Sequence, residues 1–358
     1  MRTLRDLVSS ARYSVHQALL RARLRKRKTQ LAQTHHPLIQ QPLVDLAIER
    51  REFAGVLTPA DEVGAPRRGV DHVFLDDAED YYRKYQCCDY WRSLIQQATQ
   101  RAGIADADAI VEFGCGFGNS TLPLLDLFPR ARVVATDISP NLLAILNRLL
   151  VARGLNDRCI AVAMDAQKDY VRAESADLVV GSAILHHLVE PAPFVAQAMR
   201  ILRPGGAAIF FEPFEGGYAV LRLICQEIVR EAGRRKFDSP VVRLARGVVT
   251  MLAPQIFRDA LPGWQNRNDK WVFPRAVIDD MARKAGATLT IYPIHGIEGQ
   301  FRRHFTYMMQ ANSGLTPADL PSWMTDILDR YDRETFSPQM LSDLAMEGCI
   351  IFGKPKAA

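Results

Sequence analysis

Cysteine is scarce in this chain, with six in 358 residues, and no two of them form a CxxC pair; Cys87 and Cys88 are adjacent. That scarcity excludes a disulfide scaffold and reads as reduced thiols in a cytosolic protein with no cysteine-based metal site. Long hydrophobic runs are missing as well. No stretch approaches the roughly eighteen apolar residues that a membrane-spanning helix needs. Compositional bias is absent too: hydrophobic residues make up 48% and charged residues 24%, which excludes a wholly disordered or collagen-like chain. There is no internal repeat or low-complexity tract.

Basic charge is also missing from the body of the chain. The formal net charge is +5, but residues 1–34 hold nine Lys/Arg against the single acid Asp6. That segment is +8, so the remainder is −3. A body of that sign has no basic stripe for nucleic acid, so a nucleic-acid partner is not expected. Residues 1–34 themselves read as a basic amphipathic helical tail, with Leu4, Leu7, Val8, Val15, Leu19, Leu20 and Leu24 at helical spacing. Three readings stay open for it. It packs on the body through that stripe, it contacts acidic lipid or an acidic partner at a membrane periphery, or it is an Arg-rich organelle transit segment. It lacks the uninterrupted apolar core of a secretory signal.

Residues 35–105 read as a helical N-terminal extension. Its first half is short pieces joined by Pro/Gly turns, and residues 76–102 carry a helical pattern with Tyr81, Tyr82, Tyr85, Tyr90 and Trp91. From residue 106 to 213 short apolar strands alternate with helices: AIVEFGCGFG running into glycines, ARVVATDIS, CIAVAMDA, ADLVVGSAI and AAIFFEP. Continuous apolar strands between helices predict an α/β fold, a mostly parallel sheet covered on both faces. Residues 214–272 read as a helical lid insertion. Residues 273–358 return to the core with a helix and two strands, ATLTIYPIH and the terminal GCIIFGKP, around a second insertion at 296–346.

Two motifs carry chemistry. The first is VEFGCGFGNS, where Gly114, Gly116 and Gly118 lie between a strand and a helix. Glycines there let the backbone turn tightly and approach a ligand, onto which the helix N-terminus directs its free N–H groups. The dinucleotide fingerprint G-x-G-x-x-G would place its third glycine at position 119, which is Asn119, and this weakens a nicotinamide reading. The second is Asp137, at the end of the next strand and just over twenty residues beyond Gly116. An acid at this place accepts hydrogen bonds from adenosine ribose hydroxyls; the competing role, capping the helix that opens at Pro140, suits Ser139 better. Asp165 and Ala166 follow the third strand, where a carboxylate can meet an adenine amino group.

In order and spacing these motifs, with ADLVVGSAILHHL and ILRPGGAAIFFEP, resemble class I S-adenosylmethionine-dependent methyltransferases of the small-molecule type. The resemblance covers roughly residues 75–213, 270–295 and 347–355. It implies a Rossmann-like, seven-stranded, mostly parallel sheet whose last strand is antiparallel. It also implies S-adenosyl-L-methionine as cofactor and S-adenosyl-L-homocysteine as product. Glu112 and the backbone of Gly114 and Gly116 would hold the aminoacyl end, and Gly118 and Asn119 would line the same floor. Asp137 would take the ribose, Ile138 the adenine face, Asp165 and Ala166 the adenine edge, and Ser182 the methionine portion. Tyr82 or Tyr85 would close over the cofactor, or simply pack in the core.

The expected chemistry is methyl transfer to oxygen, nitrogen or carbon of a small, hydrophobic or aromatic acceptor, in a cytoplasmic enzyme. The cofactor supplies the electrophile, so a base is needed only for a protonated acceptor. His186 and His187 are the candidates, with the competing role of filling the pocket wall; His295 and His304 are more remote. No metal is expected, because the clustered acids of the catechol type are not evident. An Asn/Asp-Pro-Pro-aromatic motif is absent at Gly181-Ser182-Ala183-Ile184, as is a double-glutamate loop, which disfavours nucleic-acid and arginine substrates. The aliphatic stripe Val220, Leu223, Ile224 and Ile228, and the cluster Phe301, Phe305, Tyr307, Met308 and Met309, either pack the lid or line an acceptor pocket. Two further readings remain open: a cofactor-binding protein without methyl transfer, and a nicotinamide-dependent oxidoreductase. The sequence leaves the oligomeric state open.

Overall fold

The N-terminal extension builds strands as well as helices. In the computed structural model, which describes residues 32–64 and 77–356, β1 (Leu43–Asp45) and β2 (Val56–Pro59) pair antiparallel. The wholly helical extension expected over 35–105 is thereby corrected. Strands of three and four residues between prolines are too short to show a period, so only their pairing defines them. The proposed basic tail lies, but for its last three residues, outside the described residues.

α1 (Ala78–Tyr85) and α2 (Cys88–Arg101) follow, broken at Gln86–Cys87 where one helical pattern was expected. The alternation then runs as read: β3 (Ala109–Phe113), α3 (Thr121–Leu127), β4 (Arg132–Asp137), α4 (Pro140–Ala152), β5 (Cys159–Ala163) and β6 (Ala176–Ser182). Every residue of β3 is buried, Glu112 included, the state its largely apolar run predicts for a sheet covered on both faces. α4 starts on a Ser139 cap with Pro140 in its first turn, a combination that satisfies one free N–H and removes another.

The remaining elements are α5 (Pro191–Ile201), β7 (Leu202–Pro213), α6 (Glu215–Arg234), α7 (Pro240–Ile256), α8 (Arg275–Lys284), β8 (Thr288–Pro293), α9 (Gln300–Ser313), α10 (Ser322–Arg333), α11 (Pro338–Asp343) and β9 (Glu347–Gly353). β7 takes in Pro204-Gly205-Gly206, which the sequence reads as a turn.

The chain forms two compact units, Met1–Val180 with Arg200–Gly206, and Gly181–Met199 with Ala207–Ala358. In the first, the strands run in the order β1-β2-β5-β4-β3-β6. β2, β5, β4 and β3 pair in parallel, from Val56 opposite Ala161 to Phe113 opposite Thr136. In the second the order is β7-β9-β8, with β9 antiparallel to both neighbours. The fold is therefore Rossmann-like α/β with an antiparallel last strand. Among the described residues it has nine strands rather than the seven expected, because β1 and β2 extend the first unit's edge.

The second unit owns a helical core. Val220, Leu221, Ile224 and Ile228 of α6 meet Val242 and Leu252 of α7, Phe301, Phe305 and Met309 of α9, and Met324 and Leu328 of α10. Phe301, Phe305 and Met309 have no exposed surface, so packing is their role. Leu223 and Tyr307, expected in the same stripes, are instead more than half exposed, at 53% and 58%. Asp332 fixes the start of α9 by accepting from the Phe301 and Arg302 amides, each at 3.0 Å.

Candidate active site

In the first unit the strand-to-helix bend is the centre. Gly114, Gly116 and Gly118 all take positive φ, at 69°, 53° and 102°, a conformation that costs an L-residue about 1–2 kcal/mol. A Cβ built on Gly116 would meet nothing within 4 Å, so the backbone there faces open space. One on Gly118 would stand 2.6 Å from Leu146 Cδ1, so that glycine serves helix packing.

Asp137 ends β4 beside this bend. Its Oδ2 accepts from Gly116 N at 2.9 Å and its Oδ1 from Ser139 N at 2.8 Å. Each carboxylate oxygen carries a second acceptor direction, so the group orders the bend and can still receive ribose hydroxyls. Burial raises its pKa, and the amides of Ser139, Gly116 and Ile138 oppose that.

Glu112, the fourth residue of β3, stands just before the bend. It has no exposed surface, and its carboxylate receives the hydroxyls of Ser120 and of Thr121, the latter at 2.6 Å. Those bonds tie β3 to the start of α3. Desolvation lifts its pKa to about 7, against the two hydroxyl bonds. Asn119 turns toward the N-terminal helices: Nδ2 donates to Tyr85 O and Oδ1 accepts from Cys87 N, both at 2.9 Å. Tyr82 packs edge-on to Phe117 of the bend, with ring centroids 5.1 Å apart. Ile138, Asp165 and Ala166 are half-buried, and Asp165 Oδ1 accepts from Gln167 N at 2.9 Å.

In the second unit Glu212, wholly buried on β7, organises the loop after β6. Its Oε1 accepts from Ile184 N at 2.9 Å and Leu185 N at 2.7 Å. Its Oε2 receives His186 N at 3.2 Å and His186 Nδ1 at 2.7 Å. Ala183, at φ 60°, holds a strained left-handed turn fixed by its N–H to Phe211 O at 3.1 Å. Burial alone would lower the His186 pKa, but Glu212, then Asp269 and Glu347, raise it. Ser182 Oγ is buried and has no hydrogen-bond partner among the described residues.

Residues 111–210 match a family model described as a methyltransferase domain. They form a segment similar to that domain. It runs from the third residue of β3 into β7 and so contains the bend, Asp137, Asp165, Ser182 and both histidines. Beyond it the likeness is partial. Over 106 residues the chain is 31% identical to trans-aconitate 2-methyltransferase of Azoarcus sp. (strain BH72), covering 30% of this chain and 39% of that protein. Over 137 residues it is 33% identical to malonyl-[acyl-carrier protein] O-methyltransferase of Hahella chejuensis (strain KCTC 2396), covering 34% and 48%. The chain thus spans less than half the length of either relative. Among solved structures, phosphoethanolamine N-methyltransferase 2 of Haemonchus contortus in complex with S-adenosyl-L-methionine aligns over 94% of this chain and 74% of that one, at 12% identity and a TM-score of 0.46.

Of the expected site residues, the structure brings Gly116 and Asp137 into direct contact and places Tyr82 on the bend through Phe117. Glu112 and Asn119 support the bend from behind and from the side. Glu212 and Asp269 were missed. Asp269 lies 3.7 Å from His186 Nε2 and 3.6 Å from His187 Nδ1. No sequence signal joins it to histidines some eighty positions earlier. Glu212 stands within the quoted AAIFFEP strand, and a lone acid ending an apolar strand was the available signal. His295 is engaged elsewhere, at 3.4 Å from Glu347 Oε2, and His304 packs edge-on to Tyr218. Among the described residues no helix is long and apolar enough to cross a membrane.

Proposed function

We propose that the chain transfers a methyl group from S-adenosyl-L-methionine to oxygen, nitrogen or carbon of a small, hydrophobic or aromatic organic acceptor. The observation that carries this reading is the Gly116–Asp137 pair: an open-faced glycine whose amide is held by the carboxylate suited to a ribose. In this reading Asp137 and the Gly114–Gly118 backbone hold the nucleoside, with Ile138, Asp165 and Ala166 at the adenine. The bound cofactor supplies an electrophilic sulfonium methyl. The chain's own residues align the partners and exclude water. His186 and His187 are the candidates to receive the proton of a protonated acceptor, His186 through the ring nitrogen that Glu212 leaves free. The curated relatives act, by name, on trans-aconitate and on malonyl-[acyl-carrier protein], the latter at oxygen, which is in keeping with a small acceptor.

Calorimetry tests the cofactor. S-adenosylhomocysteine is expected to bind and NADH not to; the reverse would overturn the reading. Transfer of radiolabelled methyl from the cofactor into a metabolite extract tests the activity, and cofactor binding without any labelled product would leave only a binding protein.

A further inference from the structure

We propose that His186, His187 and Asp269 form a binding site for a first-row divalent cation. One potential ligand atom from each of the three lies within 4.8 Å of the others. His186 Nε2 and Asp269 Oδ1 are 3.7 Å apart. Two atoms bound to one ion at about 2.0–2.2 Å stand roughly 3–3.5 Å apart, so a shift of a few tenths of an ångström closes that pair on a metal.

The supporting shell is in place. A histidine that ligates a metal commonly donates its other ring N–H to a carboxylate or a backbone carbonyl, which fixes the tautomer and orients the ring. Both histidines are arranged so. His186 Nδ1 lies 2.7 Å from the buried Glu212 carboxylate, and His187 Nδ1 lies 3.0 Å from Asn268 O. Donation from Nδ1 leaves Nε2 of His186 with its lone pair; the His187 atom beside Asp269 is Nδ1, 3.6 Å from Oδ1, so His187 ligates by giving up Asn268 O or by turning its ring.

Asp269 is delivered to the pair by its neighbours in sequence. Lys270 N donates to His186 O at 2.8 Å, and Trp271 Nε1 donates to Leu188 O at 2.9 Å. The Lys270 ammonium is turned onto Arg267 O at 2.7 Å, and Asn268 O lies 3.4 Å away. The Asp269 side chain is about half exposed, at 55%, so an ion reaches it from solvent.

Two imidazoles and one carboxylate suit zinc, cobalt or iron better than magnesium or calcium, which prefer all-oxygen sites. Three protein ligands leave a coordination position open. An oxygen of the acceptor could take that position and become more acidic, a role that rests on the methyltransferase reading. A coordinated imidazole is no longer available as a base, so the ion would replace the histidines in that task.

The experiment uses the untagged full chain, stripped with EDTA and dialysed, with no cofactor or acceptor present. It can therefore succeed or fail independently of methyl transfer. Titration with Co²⁺, followed through its visible d–d bands, is expected to saturate at one ion per chain and to be reversed by Zn²⁺. Asp269→Asn and His187→Gln should each weaken Co²⁺ at least about tenfold, and the double variant should abolish the bands. Glu212→Gln should cost about 10–100-fold by releasing the His186 ring. Should that buried change prevent folding, judged by circular dichroism, the exposed Asp269→Asn variant decides the matter. Absence of saturable bands in the parent chain, or variants that titrate like the parent, would overturn the site.

Discussion

Asn119 Nδ2 donates to the backbone carbonyl of Tyr85 at 2.9 Å, across 34 residues of sequence, while its Oδ1 accepts from Cys87 N. This amide therefore holds the break between α1 and α2 against the glycine bend. The residue that breaks the dinucleotide fingerprint is also the clasp of the N-terminal helices.

Asn119→Ala removes both bonds. At about 0.5–1.5 kcal/mol each, the loss of unfolding free energy should be about 1–3 kcal/mol. Denaturant titration measures it. A variant as stable as the parent would show that the clasp does not hold the helices.

The two glycines should separate stability from binding. Gly116→Ala places a methyl in open space, so its stability cost should stay near the 1–2 kcal/mol of a left-handed alanine. Because that methyl fills the open face, affinity for S-adenosylhomocysteine should fall by at least about tenfold, or 1.4 kcal/mol. Gly118→Ala should instead destabilise more strongly, through Leu146. Parallel calorimetry and thermal melts distinguish them. Undiminished affinity in Gly116→Ala would remove the bend from the cofactor site.

Asp137→Asn keeps the size of the side chain and loses the charge. Two charge-assisted bonds to ribose hydroxyls, at about 1.5 kcal/mol each, correspond to about 100-fold in affinity. Unchanged binding of S-adenosylhomocysteine to a folded variant would assign Asp137 to ordering the bend alone.

Glu112 gives the stability a pH dependence of defined sign. Its carboxyl titrates near 7 in the fold, against an ordinary value of 4.5, because burial disfavours the charge. The fold therefore binds a proton that the unfolded chain releases. The associated stability is complete below 4.5 and is lost as pH rises through about 7, for about 3 kcal/mol in all. Glu112→Gln removes this dependence. Relative to the parent, its unfolding free energy should improve by that amount between pH 5 and pH 8, most of it before neutrality. Parallel pH profiles for the two proteins would refute the assignment.

The local features were legible because each rests on a few consecutive residues. Strand β3 shows in the apolar run Ala109–Phe113, the bend in three alternate glycines, and α4 in Ser139-Pro140. Asp137 was legible from its distance to Gly116. β1 and β2 were not: three or four residues reveal no period, and Val56 and Leu57 become a strand by pairing with Ala161 and Val162. Glu112 was legible as an acid just before the bend, but its bonds to Ser120 and Thr121 were not, since only packing brings those hydroxyls to its oxygens.

By itself the sequence determined the alternation of strands and helices, the glycine bend and the acid that faces it, because backbone freedom and hydrophobic period are properties of neighbours along the chain. Tertiary structure decided which polar groups meet. Glu212 reaches His186 across 26 positions, and Asp269 reaches it across 83. Those encounters are set by strand pairing and by single backbone hydrogen bonds such as Lys270 N to His186 O. A contact between distant residues leaves no periodic trace, because its free energy depends on burial and geometry that exist only once the chain has folded.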